Sequence, residues 1–451
     1  MSGNHRQRPD VVLITCHDIG RYLGAYGVET VHTPRLDQLA ATGVCLERAF
    51  TVSPSCSPSR AALATGRYPH CNGVMGLAHP PFRWSLGPDE RHMARLLADA
   101  GYETHLFGHQ HVSPNARGLG FQHLHGFDGI TGCHEPALGR NVVRRLEAFM
   151  AQPRSSSPLY LEVNLEEPHR PYDQGGAVPD DSTGVTVPGY LPRTDAARQE
   201  MAAFQGAVRQ ADAAVGRILD LLERSENAGN TLVVFSADHG VAMPRAKCTL
   251  YDPGLEIALL FRWPGGGLTG GRRVSEMVSI VDVLPTVLEL LGVEVPDAVQ
   301  GTSFLRPLRS EPSASRTAIY AEKTYHTYYD PMRAIRTERF KYIRNFEETP
   351  KVEVPTDIQA GGIFRADPRA YTDPQHDPVE LYDLSGDPLE RHNLAGSAEY
   401  RDVERQLDLR LWSWMRETDD PLLRGAIESP ESRAARAQFA DAAGHAGADG
   451  S

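Results

Sequence analysis

Four short apolar runs that each break into a polar cluster carrying His or Asp constrain this chain more than any other feature. Val11-Val12-Leu13-Ile14-Thr15 runs into Cys16-His17-Asp18, and the stretch 102–107 runs into Gly108-His109-Gln110-His111. Residues 159–165 run into Glu166-Glu167-Pro168-His169-Arg170-Pro171, and 232–236 into Ala237-Asp238-His239-Gly240. Continuous apolar runs of this length belong to strands covered on both faces, as parallel sheets require. Helical patterns alternate with them at 33–43, where Thr33 can cap, Pro34 opens and Gly43 stops, and at 89–100, 138–152 and 195–224. Open α/β sheets bind ligands at the carboxyl ends of their strands. Four polar endings in one alternating series therefore predict a single site along one edge of a mostly parallel sheet.

The fold class that follows is α/β: a large, mostly parallel or mixed central sheet flanked by helices, with a smaller C-terminal α+β subdomain. A strand at 257–262 and a helix at 281–291 close the large domain, 1–310. Short antiparallel strands at 318–321, 332–336 and 340–343, with a closing helix at 403–415, make up the subdomain, 311–428. Residues 429–451, rich in Ala, Gly, Asp and Ser, are expected to lack structure. The formal net charge of −12 argues against a nucleic-acid or anionic-membrane surface. No run approaches the ~18 apolar residues of a membrane span, and the polar first ten residues lack a signal-peptide apolar region, so a cytoplasmic protein is expected. Six scattered cysteines without CxxC spacing suggest neither a zinc ribbon nor a disulfide framework.

A further strand, 44–50, delivers the chain to Ser55-Cys56-Ser57-Pro58-Ser59-Arg60, followed by Leu63-Ala64-Thr65-Gly66-Arg67. A Ser/Pro-rich turn opening a helix points backbone N–H groups at whatever sits beside Cys56, which suits an anion. The C-x-P-S-R with its trailing T-G-R, a strand-ending Asp18 upstream and Asp238-His239-Gly240 downstream resembles the signature of type I sulfatases, of the alkaline phosphatase superfamily. In that family this cysteine is oxidised to formylglycine. The resemblance covers nearly the whole chain. Val112-Ser113-Pro114, Glu167-Pro168-His169-Arg170, Leu250-Tyr251-Asp252-Pro253-Gly254 and Tyr329-Asp330-Pro331-Met332-Arg333 echo the heparan N-sulfatase branch, and Leu381-Tyr382-Asp383-Leu384 matches the usual C-terminal stretch.

The resemblance implies hydrolysis of a sulfate ester or sulfamate, on a small sulfated carbohydrate, after maturation by a formylglycine-generating enzyme. A hydrated aldehyde carries two hydroxyls: one attacks sulfur, and the other drives sulfate out as the C=O reforms. By the family pattern Asp18, Asp238, His239 and the modified Cys56 hold one divalent metal ion. Calcium is the family's ion, but calcium prefers oxygen ligands, and His17 stands where most relatives have a second aspartate, so manganese, magnesium or zinc remain open. His17 is either a ligand or a pocket histidine. Arg60 would orient the formylglycine, His111 would take the proton during sulfate elimination, His169 would protonate the leaving group, and Lys247 would grip the sulfate. His109 replaces the family's usual lysine. A formylglycine-dependent phosphonate monoester or phosphodiester hydrolase is the alternative, and a sulfated-glycan binding protein with unmodified Cys56 is a third reading. His5, His32, His70, His79 and His92 have no motif support. Nor do His123, His125 and His134, of which His123 and His125 are placed at most on a loop near the pocket mouth; Arg144-Arg145 falls on a solvated helix face, and Tyr325 to Asp330 on a specificity wall.

Overall fold

A computed structural model describes residues 8–126, 138–154, 156–314 and 316–436. His5, His134 and residues 437–451, for which the sequence raised expectations, lie outside the described residues. The large sheet contains β1 (Asp10–Cys16), β2 (Val44–Phe50), β3 (Glu103–Phe107), β4 (His123–His125), β5 (Leu159–Leu165), β6 (Thr231–Ala237), β7 (Glu256–Ile257), β8 (Leu259–Arg262) and β9 (Arg272–Ser279). Their order is β4-β3-β5-β1-β6-β8-β2-β7, with β9 paired to β2. The pairs β4-β3, β3-β5, β5-β1 and β1-β6 are all parallel, so the four strands with polar endings are consecutive neighbours. Since β8 is antiparallel to both β6 and β2, β2 also ends at the edge where those four end.

β1 lies between β5 and β6, with Val12 opposite Leu161 on one side and Val233 on the other, and all seven of its residues are buried. Its apolar run is what that position demands: Val11, Val12 and Ile14 have no exposed surface, and each such side chain contributes about 1.5–3 kcal/mol by leaving water. The strand expected at 257–262 divides at Ala258, whose backbone bonds instead to Gly20 and Ala237. β4 and β9 were not expected; the first five residues of β9 are exposed or half-buried except Val274, its last three are buried, and it carries Arg272, Arg273 and Glu276.

Helix α1 (Pro34–Thr42) forms where expected, but Thr33 does not cap it. Asp212, from the helix Asp195–Glu223, accepts from the N–H groups of Arg35 and Leu36 at 3.1 and 2.8 Å. A carboxylate at a helix N-terminus satisfies free donors and faces the positive end of the dipole. Among the described residues, no helix is long and apolar enough to cross a membrane.

A second, antiparallel sheet contains β10 (Ile319–Tyr325), β11 (Tyr329–Arg336), β12 (Phe340–Asn345) and β13 (Val379–Asp383), in that order. It abuts the segments after β2: Glu322 N–H donates to Val52 O at 2.8 Å, and Tyr325 N–H to Met75 O at 3.0 Å. The expectation that the chain loses structure after residue 428 is corrected in part. Residues 430–436 are helical, and Arg433 lies 5.7 Å from the Trp84 ring centroid. A cation on an indole face holds this first turn of the tail.

Arg333 of β11 is fully buried, with Asp420 bidentate at 2.6 and 3.1 Å and Glu322 at 3.4 Å. Truncating it would strand two carboxylates in the interior. Arg333→Ala is expected to lower the unfolding free energy by about 3–5 kcal/mol in a denaturant titration.

Candidate active site

Ser57, Ser59 and Arg60 each help to hold the helix that begins with Cys56. Cys56 is the first residue of α2 (Cys56–Thr65), a helix buried along its whole length. Thr51 donates to Ser59 Oγ at 2.8 Å, Ser59 donates to Asp238 O, and Ser57 Oγ accepts from Ala78 N–H at 3.0 Å. Arg60 reaches back under the sheet edge, Nε to Asp238 Oδ2 at 3.1 Å and Nη1 to Thr15 Oγ1 at 2.9 Å. It therefore braces the ends of β1 and β6.

The strand ends crowd together. A Cβ on Gly108 would lie 2.0 Å from Asn164 O, and one on Gly240 would lie 1.9 Å from Pro253 O, so neither position admits a side chain. Asp18 and His111 sit in the left-handed backbone region at φ +49° and +62°. Non-glycine residues held there are strained and gather at functional sites.

Beneath the cavity floor lies a cluster of electron-pair donors. Cys56 Sγ is 3.3 Å from His239 Nε2, which is 3.0 Å from Asp18 Oδ1. Asp238 Oδ1 accepts from the N–H groups of His239 and Asp18 at 2.8 and 3.0 Å. His239 Nδ1 faces Gly240 O at 2.9 Å; a carbonyl only accepts, so Nδ1 carries the hydrogen and Nε2 is left to face Asp18 and Cys56. Asp18 Oδ1 is buried without a hydrogen bond. Burial alone would push the Asp18 carboxyl up, but Lys247, His169 and His239 outweigh it and hold it well below the usual range. The same balance keeps Asp238 ionised, burial being overcome chiefly by His239. Cys56, Asp238 and His239 offer one group of ligand atoms within 4.8 Å of one another, and His17, Asp18 and Cys56 another; with Asp18 Oδ1 3.0 Å from His239 Nε2, these side chains make a donor set that fits a divalent cation. Burial pushes the Cys56 thiol up, against the pull of Lys247 and His239, so as a plain cysteine it is a poor nucleophile.

His17 stands beside this cluster. Its Nδ1 is 3.1 Å from Asp238 Oδ2 without hydrogen-bonding geometry, and its Nε2 is 2.6 Å from His109 Nε2. Burial, with Arg60 next, lowers His17 to about 3, and burial, with His17 and Arg60, takes His109 well below its ordinary value; both are neutral rings near pH 7.

Above the floor, a cavity of about 190 Å³ is lined by Cys56, His109, His111, His169 and Lys247 among others. Arg60, Asp18, Asp238 and His239 lie behind it. Lys247 is buried, with Asp18 Oδ2 and Asp357 Oδ2 each 3.1 Å from its Nζ. Burial opposes its charge, but Asp18 and Asp357 prevail and hold its pKa well above the ordinary value. His169 turns Nδ1 to Arg170 O at 2.6 Å, and its Nε2 is 3.7 Å from Asp18 Oδ2 and 3.9 Å from Asp357 Oδ2. His111 Nε2 is 3.1 Å from His79 Nδ1, and the two rings stack.

Three titratable lining residues were missed as site residues. Asp357 lies in the short helix Thr356–Gln359, far along the chain from any motif. His79 was set aside for want of one. Glu166 ends β5, where the polar-ending rule already pointed, and burial raises its carboxyl to about 7 against His169 and Arg60. Of the expected specificity wall, His326 and Thr327 line the cavity, whereas Asp330 binds Lys323 at 2.6 Å and Tyr325 donates to Ile427 O. His123 and His125 do not line it: they form the edge strand β4.

Comparison with known proteins bears on the whole chain. A model of the family described as "Sulfatase" matches residues 9–293, and one described as "N-sulphoglucosamine sulphohydrolase, C-terminal" matches 244–361. The chain is 30% identical to N-sulphoglucosamine sulphohydrolase of Homo sapiens, over 92% of each chain. It is 29% identical to an ulvan-active sulfatase of Formosa agariphila, over 94% of this chain and 83% of that one. Among solved structures, a 2-O GAG sulfatase superposes with a TM-score of 0.71 at 22% identity, covering 95% of this chain and 99% of the other. A protein in complex with its substrate D-glucosamine-2-N,6-O-disulfate superposes with a TM-score of 0.70 at 20% identity, covering 92% and 99%. These last two likenesses establish the fold.

The donor cluster makes a direct prediction about metal content. Asp18→Asn and Asp238→Asn should each lose one equivalent of divalent ion by elemental mass spectrometry, while Asp357→Asn should keep it; retention in both of the first two would place the ion elsewhere.

Proposed function

This chain belongs to the sulfatase family, and on that premise we propose that it hydrolyses a sulfate ester or sulfamate of a sugar, with formylglycine made from Cys56 as nucleophile. The observation that carries this is the place of Cys56: first residue of a buried helix, open to the cavity on one side, with its sulfur 3.3 Å from His239 on the other. Asp18, Asp238, His239 and residue 56 would hold one divalent cation, which when bound acidifies the attacking hydroxyl and neutralises sulfuryl oxygens. Calcium is the family's usual ion; the imidazole of His239 in the donor set keeps manganese, magnesium and zinc as candidates.

The remaining roles follow from where each group points. Lys247, kept charged by Asp18 and Asp357, offers its third hydrogen-bonding direction to a sulfuryl oxygen. His169, with Nδ1 anchored on Arg170 O, presents Nε2 to the leaving group and can hand it a proton. His111 is positioned by His79 and would take the proton that sulfate release requires. His109, a neutral ring, supplies a hydrogen bond where relatives have a lysine's charge. Arg60 acts through Asp238 and Thr15, as a positioning residue.

For the substrate we favour an N-sulfated glucosamine unit. The two matches bearing the N-sulphoglucosamine sulphohydrolase name support this, and Leu77 and Phe82 give the cavity an apolar side on which a sugar face can rest. A phosphonate monoester or phosphodiester is the second reading, favoured by the single carboxylate, Asp18, at the end of β1. We place maturation by a formylglycine-generating enzyme, and the activity itself, in the cytoplasm, a setting that suits five described cysteines free of disulfides.

Kinetics with glucosamine N-sulfate, an aryl sulfate and a phosphodiester side by side test this. Sulfate or sulfamate turnover should exceed the phosphodiester's, and Cys56→Ala should lower kcat by about 10⁴-fold or more. Faster phosphodiester turnover would move the assignment to the second reading.

A further inference from the structure

A cluster of metal-ligating groups outside the active site lies at the β3-β4 edge. Side chains alternate along a strand, so Glu103, His105 and Phe107 share one face of β3. The parallel register sets His105 opposite His123 and Phe107 opposite His125, which brings both β4 histidines onto that same face. Glu103 Oε1 is 3.1 Å from His123 Nε2 and 3.3 Å from His105 Nε2. One candidate ligand atom from each of Glu103, His105 and His123 lies within 4.8 Å of the others.

His105 gives this convergence its meaning. It is only 1% exposed, yet its Nε2 has no hydrogen-bond partner. Its other nitrogen, Nδ1, is 3.0 Å from His125 Nε2, and its ring stacks on those of His123 and His125 with centroids 4.5 and 5.3 Å apart. If Nδ1–H donates to His125, the Nε2 lone pair points toward Glu103 and His123, the arrangement in which an outer partner fixes a ligand's tautomer.

We propose that Glu103, His105 and His123 form a second divalent-metal site of zinc-type chemistry, with His125 as a positioning residue. Two imidazoles and one carboxylate are a zinc-like donor set and a poor one for calcium or magnesium. His123 is half-exposed, so the remaining coordination position is open to water. The ion would fasten the three-residue edge strand β4 to β3, at the end of β3 away from His109 and His111. This inference does not depend on the sulfatase reading.

Zinc titration of the chelator-stripped full-length protein, read by equilibrium dialysis with elemental analysis, tests the site. The wild type should bind one equivalent more than His123→Ala, and Glu103→Gln and His125→Ala should weaken that equivalent about tenfold or more. Zinc should raise the Tm of the wild type by more than it raises that of His123→Ala, with sulfate hydrolysis unchanged. Equal zinc stoichiometry and affinity in the wild type, His123→Ala and Glu103→Gln would overturn the site.

Discussion

One buried carboxylate, Asp238, joins the parts on which the site depends. Its Oδ1 holds the backbone N–H groups of Asp18 and His239, and its Oδ2 accepts from Arg60. Those bonds connect the end of β1, the end of β6 and the helix that begins with Cys56. An ionised group with almost no exposed surface is tolerable only when its lone pairs are occupied by donors or cations. Here they are, and the arrangement leaves the second carboxylate, Asp18, with an uncommitted oxygen facing His239 and Cys56.

The cavity and the donor cluster divide the electrostatic work. Below the floor, negative charge is concentrated on Asp18 and Asp238; above it, Lys247 is a positive group balanced by Asp18 and Asp357. Burial keeps His17 and His109 neutral, and their ring nitrogens are 2.6 Å apart. His17 and His109 thus form a neutral, mutually bonded pair of rings at the sheet edge.

Much of this was legible in the sequence because buried parallel strands need continuous apolar runs. The runs ending at Asp18, His109 to His111, His169 and Asp238 marked four neighbours of one edge, and the Cys56 motif marked the helix beside them. What stayed hidden had no periodic signature. β4 is three residues long, β9 is half-exposed and charged, and β13 was read only as a motif. Asp357 meets Lys247 across 110 positions, and Asp212 caps α1 across 177, in both cases through tertiary packing alone. The polar composition of the tail concealed a short helix that a single Arg433–Trp84 contact helps to dock.

The proposed chemistry requires that Cys56 no longer be a cysteine in the mature protein. Mass spectrometry of the peptide spanning Cys56, from protein made in its native cell, measures this directly. An aldehyde-bearing residue, trapped by a hydrazide probe, is expected in most of the sample. A homogeneous cysteine at that position in fully active protein would contradict it.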